Sequence, residues 1–339
     1  MKLYLNIKCI WIIILLIFFQ NVYGQHYQFS QFYAAPTYLN PAFTGADVCS
    51  RVSLNYRNQW SGIPGGFTTY QASVDHTLSR YKGGVGLQFF KDKTGLGGLS
   101  TTQMNFLYAY ETRINKRLMG RAGVSAGGAQ RRVDLGSFTF ADQIARKDGS
   151  SSIESTNLSS ITYFDMNVGV LVYSRTAWWG ISASHINEPN QSLTGNYSAL
   201  PAEFKFHGGY KYIFTENIVA GSVREKHSVT FAFNYKKQAK FNQIDAGVYY
   251  NKDLLVIGCW YRGIPIFKPI KEYRNNDALT FLFGVSVAKY NIGYSYDLTL
   301  SKLTNASTRG THELSMSYQF CKLKKSKKRK LIVVSCPKF

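Results

Sequence analysis

The chain has 339 residues and a net charge of +21, with 17% charged and 15% aromatic residues, among them 24 tyrosines and 23 phenylalanines. The charged share lies below the roughly one quarter usual in soluble proteins, which narrows an exported chain of this kind to a soluble all-β domain or a membrane barrel. The charge is unevenly spread: without Lys2, Lys8 and the eight basic residues from Lys322 to Lys338, the body holds 30 basic against 19 acidic residues, or +11.

The first elements read as an export signal. Lys2 and Lys8 make a short basic region, Ile10 to Phe19 an unbroken apolar run, and Val22 and Gly24 the small −3 and −1 positions of a cleavage site. Residues 1–24 are therefore expected to leave, with Gln25 as the mature start. The run is about half the ~20 residues of a membrane-spanning helix, and Cys9 precedes it, which disfavours a lipoprotein cleavage site. An exported chain does not meet nucleic acid, the ordinary partner of a basic surplus. The surplus is instead expected to face anionic lipopolysaccharide, peptidoglycan or a periplasmic partner.

Residues 25–49 hold Pro36 and Pro41 among aromatics, too broken for a central strand. They are expected to form a periplasmic or plug segment, folded under or into the domain that begins at residue 50. From Arg51 to Phe320 the pattern has period two, which predicts strands with two unlike faces. About fourteen such segments fall near 50–60, 66–78, 83–91, 98–113, 117–130, 159–174, 176–187, 202–214, 227–236, 240–251, 254–262, 278–288, 290–299 and 310–320. In the ninth, Val229, Phe231, Phe233 and Tyr235 alternate with Thr230, Ala232 and Asn234; in the last, Leu314, Met316, Tyr318 and Phe320 alternate with Glu313, Ser315, Ser317 and Gln319. One set suits lipid and the other a polar lumen.

The predicted fold is all-β: a closed antiparallel transmembrane barrel of about fourteen strands over residues 50–321, its N- and C-termini periplasmic. Connection lengths fit that topology. Those after odd strands include the long Arg131–Leu158, Glu188–Pro201 and Gly263–Asp277, whereas those after even strands are mostly short, with Thr215–Lys226 an exception. The basic tail, 322–339, ends in Leu331–Val334 and Cys336-Pro337-Lys338-Phe339. It reads as a solvated segment or as one that docks by adding a strand to a partner's sheet edge.

Chemistry-bearing patterns are sparse. The six histidines show no metal-ligand spacing, no phosphate-cradling glycine loop occurs, and the glycine pairs lie in or beside strands, where they permit curvature or close backbone approach. Ser184 and His185 are adjacent on a strand and should point to opposite faces. No cofactor, metal or catalytic residue is predicted, and the chain reads as a non-enzyme. Cys49 and Cys321 fall at the ends of the first and last strands, which are neighbours in a closed barrel. A seam disulfide between them is one arrangement, a Cys321–Cys336 bridge pinning the tail another, and free thiols a third.

Two stretches carry a family resemblance: Phe29-Ser30-Gln31-Phe32 with Pro36-Thr37-Tyr38-Leu39-Asn40-Pro41-Ala42-Phe43-Thr44-Gly45, and Arg51-Val52-Ser53-Leu54-Asn55-Tyr56-Arg57-Asn58-Gln59-Trp60. Gly83-Gly84-Val85-Gly86, Gly258-x-x-Tyr261-Arg262, Ile292-Gly293-Tyr294-Ser295-Tyr296-Asp297 and His312-Glu313-Leu314 continue it in order along nearly the whole mature chain. The chain thereby resembles the PorP/SprF family of outer-membrane proteins of the Bacteroidetes type IX secretion system. The resemblance implies a non-enzymatic outer-membrane barrel, in some members tied to gliding motility. Its implied partners are a periplasmic peptidoglycan-associated subunit and a secreted surface protein, such as an adhesin, with a C-terminal sorting domain.

Tyr38, Asn40, Pro41, Arg57 and Trp60 are the candidates for shaping the lumenal or periplasmic side. For Trp60 an interfacial position is the plainer reading, and for Asn40-Pro41 a turn. Two rivals to this reading are a general diffusion porin with an anion-favouring lumen, separated by steady conductance, and a soluble exported β-sandwich, separated by membrane extraction.

Overall fold

A computed structural model describes residues 27–47, 49–96, 98–134, 139–146, 160–219, 222–264, 275–301 and 304–320. The signal segment 1–24 and the tail 322–339 lie outside these residues. The strands are β1 (Ser50–Gln59), β2 (Phe67–Leu78), β3 (Gly83–Thr94), β4 (Leu99–Arg113), β5 (Met119–Arg132), β6 (Ser160–Tyr173) and β7 (Ala177–Ser184). They continue with β8 (Glu203–Val219), β9 (Ser222–Gln238), β10 (Phe241–Lys252), β11 (Leu255–Ile264), β12 (Asn275–Val287), β13 (Tyr290–Thr299) and β14 (Thr311–Phe320). Each pairs antiparallel with its sequence neighbours, and β1 pairs with β14, so the sheet closes as a fourteen-strand barrel.

The alternation read from the sequence is the alternation of two solvents. On β9, Phe231 is 57% exposed on the outer surface while its neighbour Thr230 is fully buried inside. Leu54 and Tyr56 likewise face outward from β1, between the buried Ser53, Asn55 and Arg57. Apolar outward rows and polar inward rows are what a barrel in hydrocarbon requires, because closure alone satisfies every strand edge there.

Connections after odd strands lie at one rim and include the long ones, 133–159, 185–202 and 265–274; those after even strands form the other rim and are short. The expected exception, Thr215–Lys226, is no loop. β8 runs to Val219 and β9 starts at Ser222, so this stretch continues both strands. β7 pairs with β8 only as far as Tyr210, and β10 with β9 only from His227. The two strands therefore project past the short-turn rim as a two-stranded ribbon, registered Glu216 to Glu225 and Ile218 to Val223.

Cys49 is disulfide-bonded. Cys321 lies outside the described residues, one position beyond Phe320, which pairs with Ser50 across the seam. β7 ends at Ser184, and His185 takes a left-handed φ of 57°. Strand alternation stops there: Ser184 and His185 line the same inner cleft, correcting the expectation of opposite faces.

Candidate functional site

Residues 27–47 fold into the barrel and plug it. Their shape follows from two prolines. Pro36 opens a single helical turn, α1 (Pro36–Leu39), and Pro41 opens a 3-10 turn, Pro41–Phe43. A proline is well placed at the first position of a turn, where its missing N–H is not needed and its φ is preset. Asn40 stands extended between them, and its side-chain oxygen accepts from the Ala42 amide at 2.8 Å, capping the second turn. Gly45, at φ 61°, then swings the chain toward β1.

The lower half of the plug is keyed into the wall near the short-turn rim. Asn40 is fully buried, and its Nδ2 donates to the Val170 and Ile181 carbonyls at 3.0 and 3.2 Å. Arg121 donates from Nε to the Ala42 carbonyl at 2.8 Å and from a second nitrogen to the Thr44 carbonyl. Its third nitrogen pairs with Glu111. Backbone meets backbone at two wall glycines. A Cβ on Gly123 would lie 2.4 Å from the Ala42 nitrogen, and one on Gly84 would lie 2.6 Å from the Gly45 Cα, closer than real Cβ atoms come.

The middle of the plug is aromatic. Phe32 and Tyr33 pack among Trp178, Tyr249 and Trp260, with Phe32 edge-on to Trp260 at 4.9 Å and Tyr33 edge-on to Trp178 at 5.8 Å. Burying these rings against one another supplies apolar area that a polar wall lacks.

Toward the long-loop rim the plug is held by charge. The Ser30 and Gln31 amides both donate to the Glu313 carboxylate, at 2.7 and 2.9 Å. Arg57 pairs with Glu313 at 3.0 Å and with Asp297 at 3.1 Å; Arg262 pairs with Asp297 and with Asp245, each at 3.0 Å. The Ser30 hydroxyl joins the cluster, donating to Asp297 at 2.6 Å and accepting from both arginines. One proton and two lone pairs are all a hydroxyl has, so Ser30 is saturated. Gln31 donates from Nε2 to Ser295 at 3.1 Å and to the Glu313 carbonyl at 3.0 Å, and its Oε1 accepts from Ser315 at 2.6 Å. Buried charges are expensive unless paired and hydrogen-bonded, and here two arginines meet four carboxylates, Asp277 joining Arg262 at 3.7 Å.

Four of the five sequence candidates meet in this lumen. Arg57 is in the charged latch, and Asn40 and Pro41 shape the lower plug. The Tyr38 ring packs against Phe29, its hydroxyl donates to the Tyr27 carbonyl at 2.6 Å, and the Lys205 ammonium lies 4.3 Å from the ring centre. Trp60 is elsewhere: it ends β1 at φ 60°, its amide donates to the Gly310 carbonyl, and its ring packs edge-on to Phe67 at the long-loop rim. Ser30, Gln31, Arg262, Asp297 and Glu313 lie within the family motifs, but sequence reasoning named none of them, nor Arg121, as a site residue. The signal available was a lone charge at an inward position of a strand whose other inward residues are small hydroxyls, as in Ser295-Tyr296-Asp297 and Glu313-Leu314-Ser315.

A second cluster lines the wall beside Tyr27 and Tyr38. Asp165 pairs with His185 Nδ1 at 2.8 Å and accepts from Gln103 at 2.7 Å, and Lys205 pairs with Glu203 at 2.9 Å. These contacts join β4, β6 and β8 with the end of β7, so this cluster too braces the interior around the plug.

Among solved structures the chain is similar to the toluene transporter TbuX of Ralstonia pickettii, at 12% identity and a TM-score of 0.47 over 84% of this chain and 93% of that one. It is also similar to the outer membrane protein Omp33 of Acinetobacter baumannii, at 9% identity and a TM-score of 0.42 over 82% of this chain and 100% of that one. No curated protein matches it. The motifs that meet around the plug come from across the sequence, and the model of type IX secretion system membrane proteins PorP/SprF matches residues 21–318; the chain belongs to that family.

Proposed function

We propose that this outer-membrane component of the type IX secretion system works as a closed platform, not as a pore, assisting export or surface retention of a surface protein that bears a C-terminal sorting domain. The observation that carries this reading is the plug: residues 27–47 fill the lumen and are held by charge at one end and by backbone keying at the other. A general diffusion porin needs the space this segment occupies.

In this reading the long connections face outward and hold the surface protein. The short-turn rim, with the projecting β8–β9 ribbon and the exit of the basic tail, faces the periplasm and meets the peptidoglycan-associated subunit. The asymmetry of connection lengths supports that orientation. Cleavage after Gly24 would leave a short polar start ahead of the half-buried Tyr27, whose hydroxyl donates to Gln103 at 3.0 Å on the inner wall.

The test is affinity purification from native outer membranes in mild detergent, with mass spectrometry of what accompanies the barrel, and bilayer recording of the purified protein. Recovery of a peptidoglycan-associated subunit and a sorting-domain surface protein, with a silent bilayer, is expected. The barrel alone, conducting steadily, overturns the reading and leaves a porin.

A further inference from the structure

The two rims differ in charge. At the long-loop rim the exposed charge carries both signs: Asp134 and Glu188 with Lys93, Arg132, Arg146, Lys237, Lys240 and Arg309, and the half-exposed Asp142 pairs with Arg146. At the short-turn rim the exposed charge is almost wholly basic. The β2–β3 turn carries Arg80 and Lys82, and the β4–β5 turn carries Arg113, Lys116 and Arg117. Arg175 lies between β6 and β7, Lys252 at the end of β10 and Lys289 between β12 and β13, all exposed. Asp253 is the exposed acid among the described turn residues of this rim. Asp47 and Asp75 are buried, and the β8–β9 ribbon is balanced, with Glu216 and Glu225 against Arg224 and Lys226.

These cations are not gathered in one sector, as a patch for a compact protein partner would be. They recur at five turns around the perimeter. Neighbouring strands are about 4.8 Å apart, so successive turns are separated by roughly 10 Å along the rim, about one Debye length, and their fields add. Four of the five basic turns also set an exposed apolar side chain beside their charge. Tyr81 accompanies Arg80, Ile114 accompanies Arg113, Leu254 follows Lys252, and Val287 and Tyr290 flank Lys289, each between 46% and 63% exposed. The Arg80 guanidinium lies 6.0 Å from the Tyr81 ring centre. A cation above an apolar anchor at the edge of a lipid-facing surface matches the cross-section of a lipid, with phosphate at the water boundary and acyl chain below.

We propose that the short-turn rim is a binding surface for the phosphate groups of anionic phospholipids, which it holds as an annulus in the leaflet it faces. The proposal stands apart from the cargo role, since it concerns the outer perimeter and not the lumen or the long connections. It names phospholipid, because the repeat around the perimeter and the paired apolar anchors fit a lipid ring better than a single docked protein.

The experiment compares full-length mature protein in nanodiscs of phosphatidylcholine with and without phosphatidylglycerol, reading lipid retention by native mass spectrometry and thermal unfolding. Wild type is expected to retain phosphatidylglycerol at least tenfold over phosphatidylcholine, to melt higher in its presence, and to lose that preference as salt rises. The variant K116Q/R117Q/K252Q/K289Q is expected to lose most of the preference while melting as wild type does in phosphatidylcholine alone. Should that variant fail to insert, K116Q/R117Q and K252Q/K289Q separately are each expected to give a partial loss. Equal retention of both lipids, or a preference that salt leaves unchanged, overturns the proposal. So does a rim variant that keeps phosphatidylglycerol but loses lipopolysaccharide or an acidic protein.

Discussion

Replacing Arg57 with methionine keeps a long apolar stem in the same space and removes the charge. Arg57 is 1% exposed and lies 3.1 Å from Asp297 and 3.0 Å from Glu313. Breaking a buried pair by removing one partner destabilises by roughly 3–5 kcal/mol. Asp297 keeps Arg262 at 3.0 Å, whereas Glu313 is left with the two plug amides, so the lower figure applies. About 3 kcal/mol corresponds to roughly a hundredfold in the equilibrium between seated and released plug. The loss should appear in the plug and not in the wall, because the β1 ladder to β2 and β14 uses backbone groups that the substitution leaves in place. Hydrogen exchange of residues 27–35 reads it directly: the Ser30 and Gln31 amides, which donate to Glu313, should exchange about a hundredfold faster while the strand amides do not change. Combining Arg57→Met with Glu313→Gln should cost less than the sum of the two, since each removes the same pair. Unchanged protection at Ser30 and Gln31 in a folded Arg57→Met barrel would refute the latch.

Three further outcomes are expected. Asn40→Ala removes the cap on the Ala42 amide and the donor to the Val170 and Ile181 carbonyls and should lower stability by about 1–3 kcal/mol in urea unfolding; an unchanged midpoint would show these bonds dispensable. Gly123→Leu drives a side chain into the Ala42 backbone and should release the amides of residues 42–45 to exchange while leaving Ser30 protected. Because Ser50 pairs with Phe320, non-reducing peptide mapping should find Cys49 joined to Cys321, and a Cys49–Cys336 peptide would refute that pairing.

The barrel was legible in the sequence because its strands separate two solvents, and period-two alternation is the trace of that separation. The reading stopped where the separation stops. Residues 216–219 pair with 222–225 past the rim, and the stretch 215–226, Thr-Glu-Asn-Ile-Val-Ala-Gly-Ser-Val-Arg-Glu-Lys, shows no period-two alternation. No hydropathy contrast is left to mark them as strand. His185 escaped for a related reason: alternation predicts direction only while the strand lasts, and β7 ends one residue earlier. The plug was legible as something other than a strand, from Pro36 and Pro41, and a place under or inside the barrel was expected, but the sequence did not decide between the two. The latch was the hardest part. Arg57, Arg262, Asp297 and Glu313 each look like one more polar residue on an inward row, and only closure shows that they face the same serine.

The latch also ties the two ends of the chain together in time. Arg57 belongs to the first strand and Glu313 to the last, 256 residues later, and these strands form the seam. Until β14 arrives beside β1, the Ser30 and Gln31 amides have no carboxylate to meet and Arg57 lacks one of its two counter-ions. Completing the charged end of the plug and shutting the cylinder therefore use the same strand. With its seam open, a half-assembled molecule holds the plug only by its lower half, and the charged end of the segment is fixed when the barrel closes.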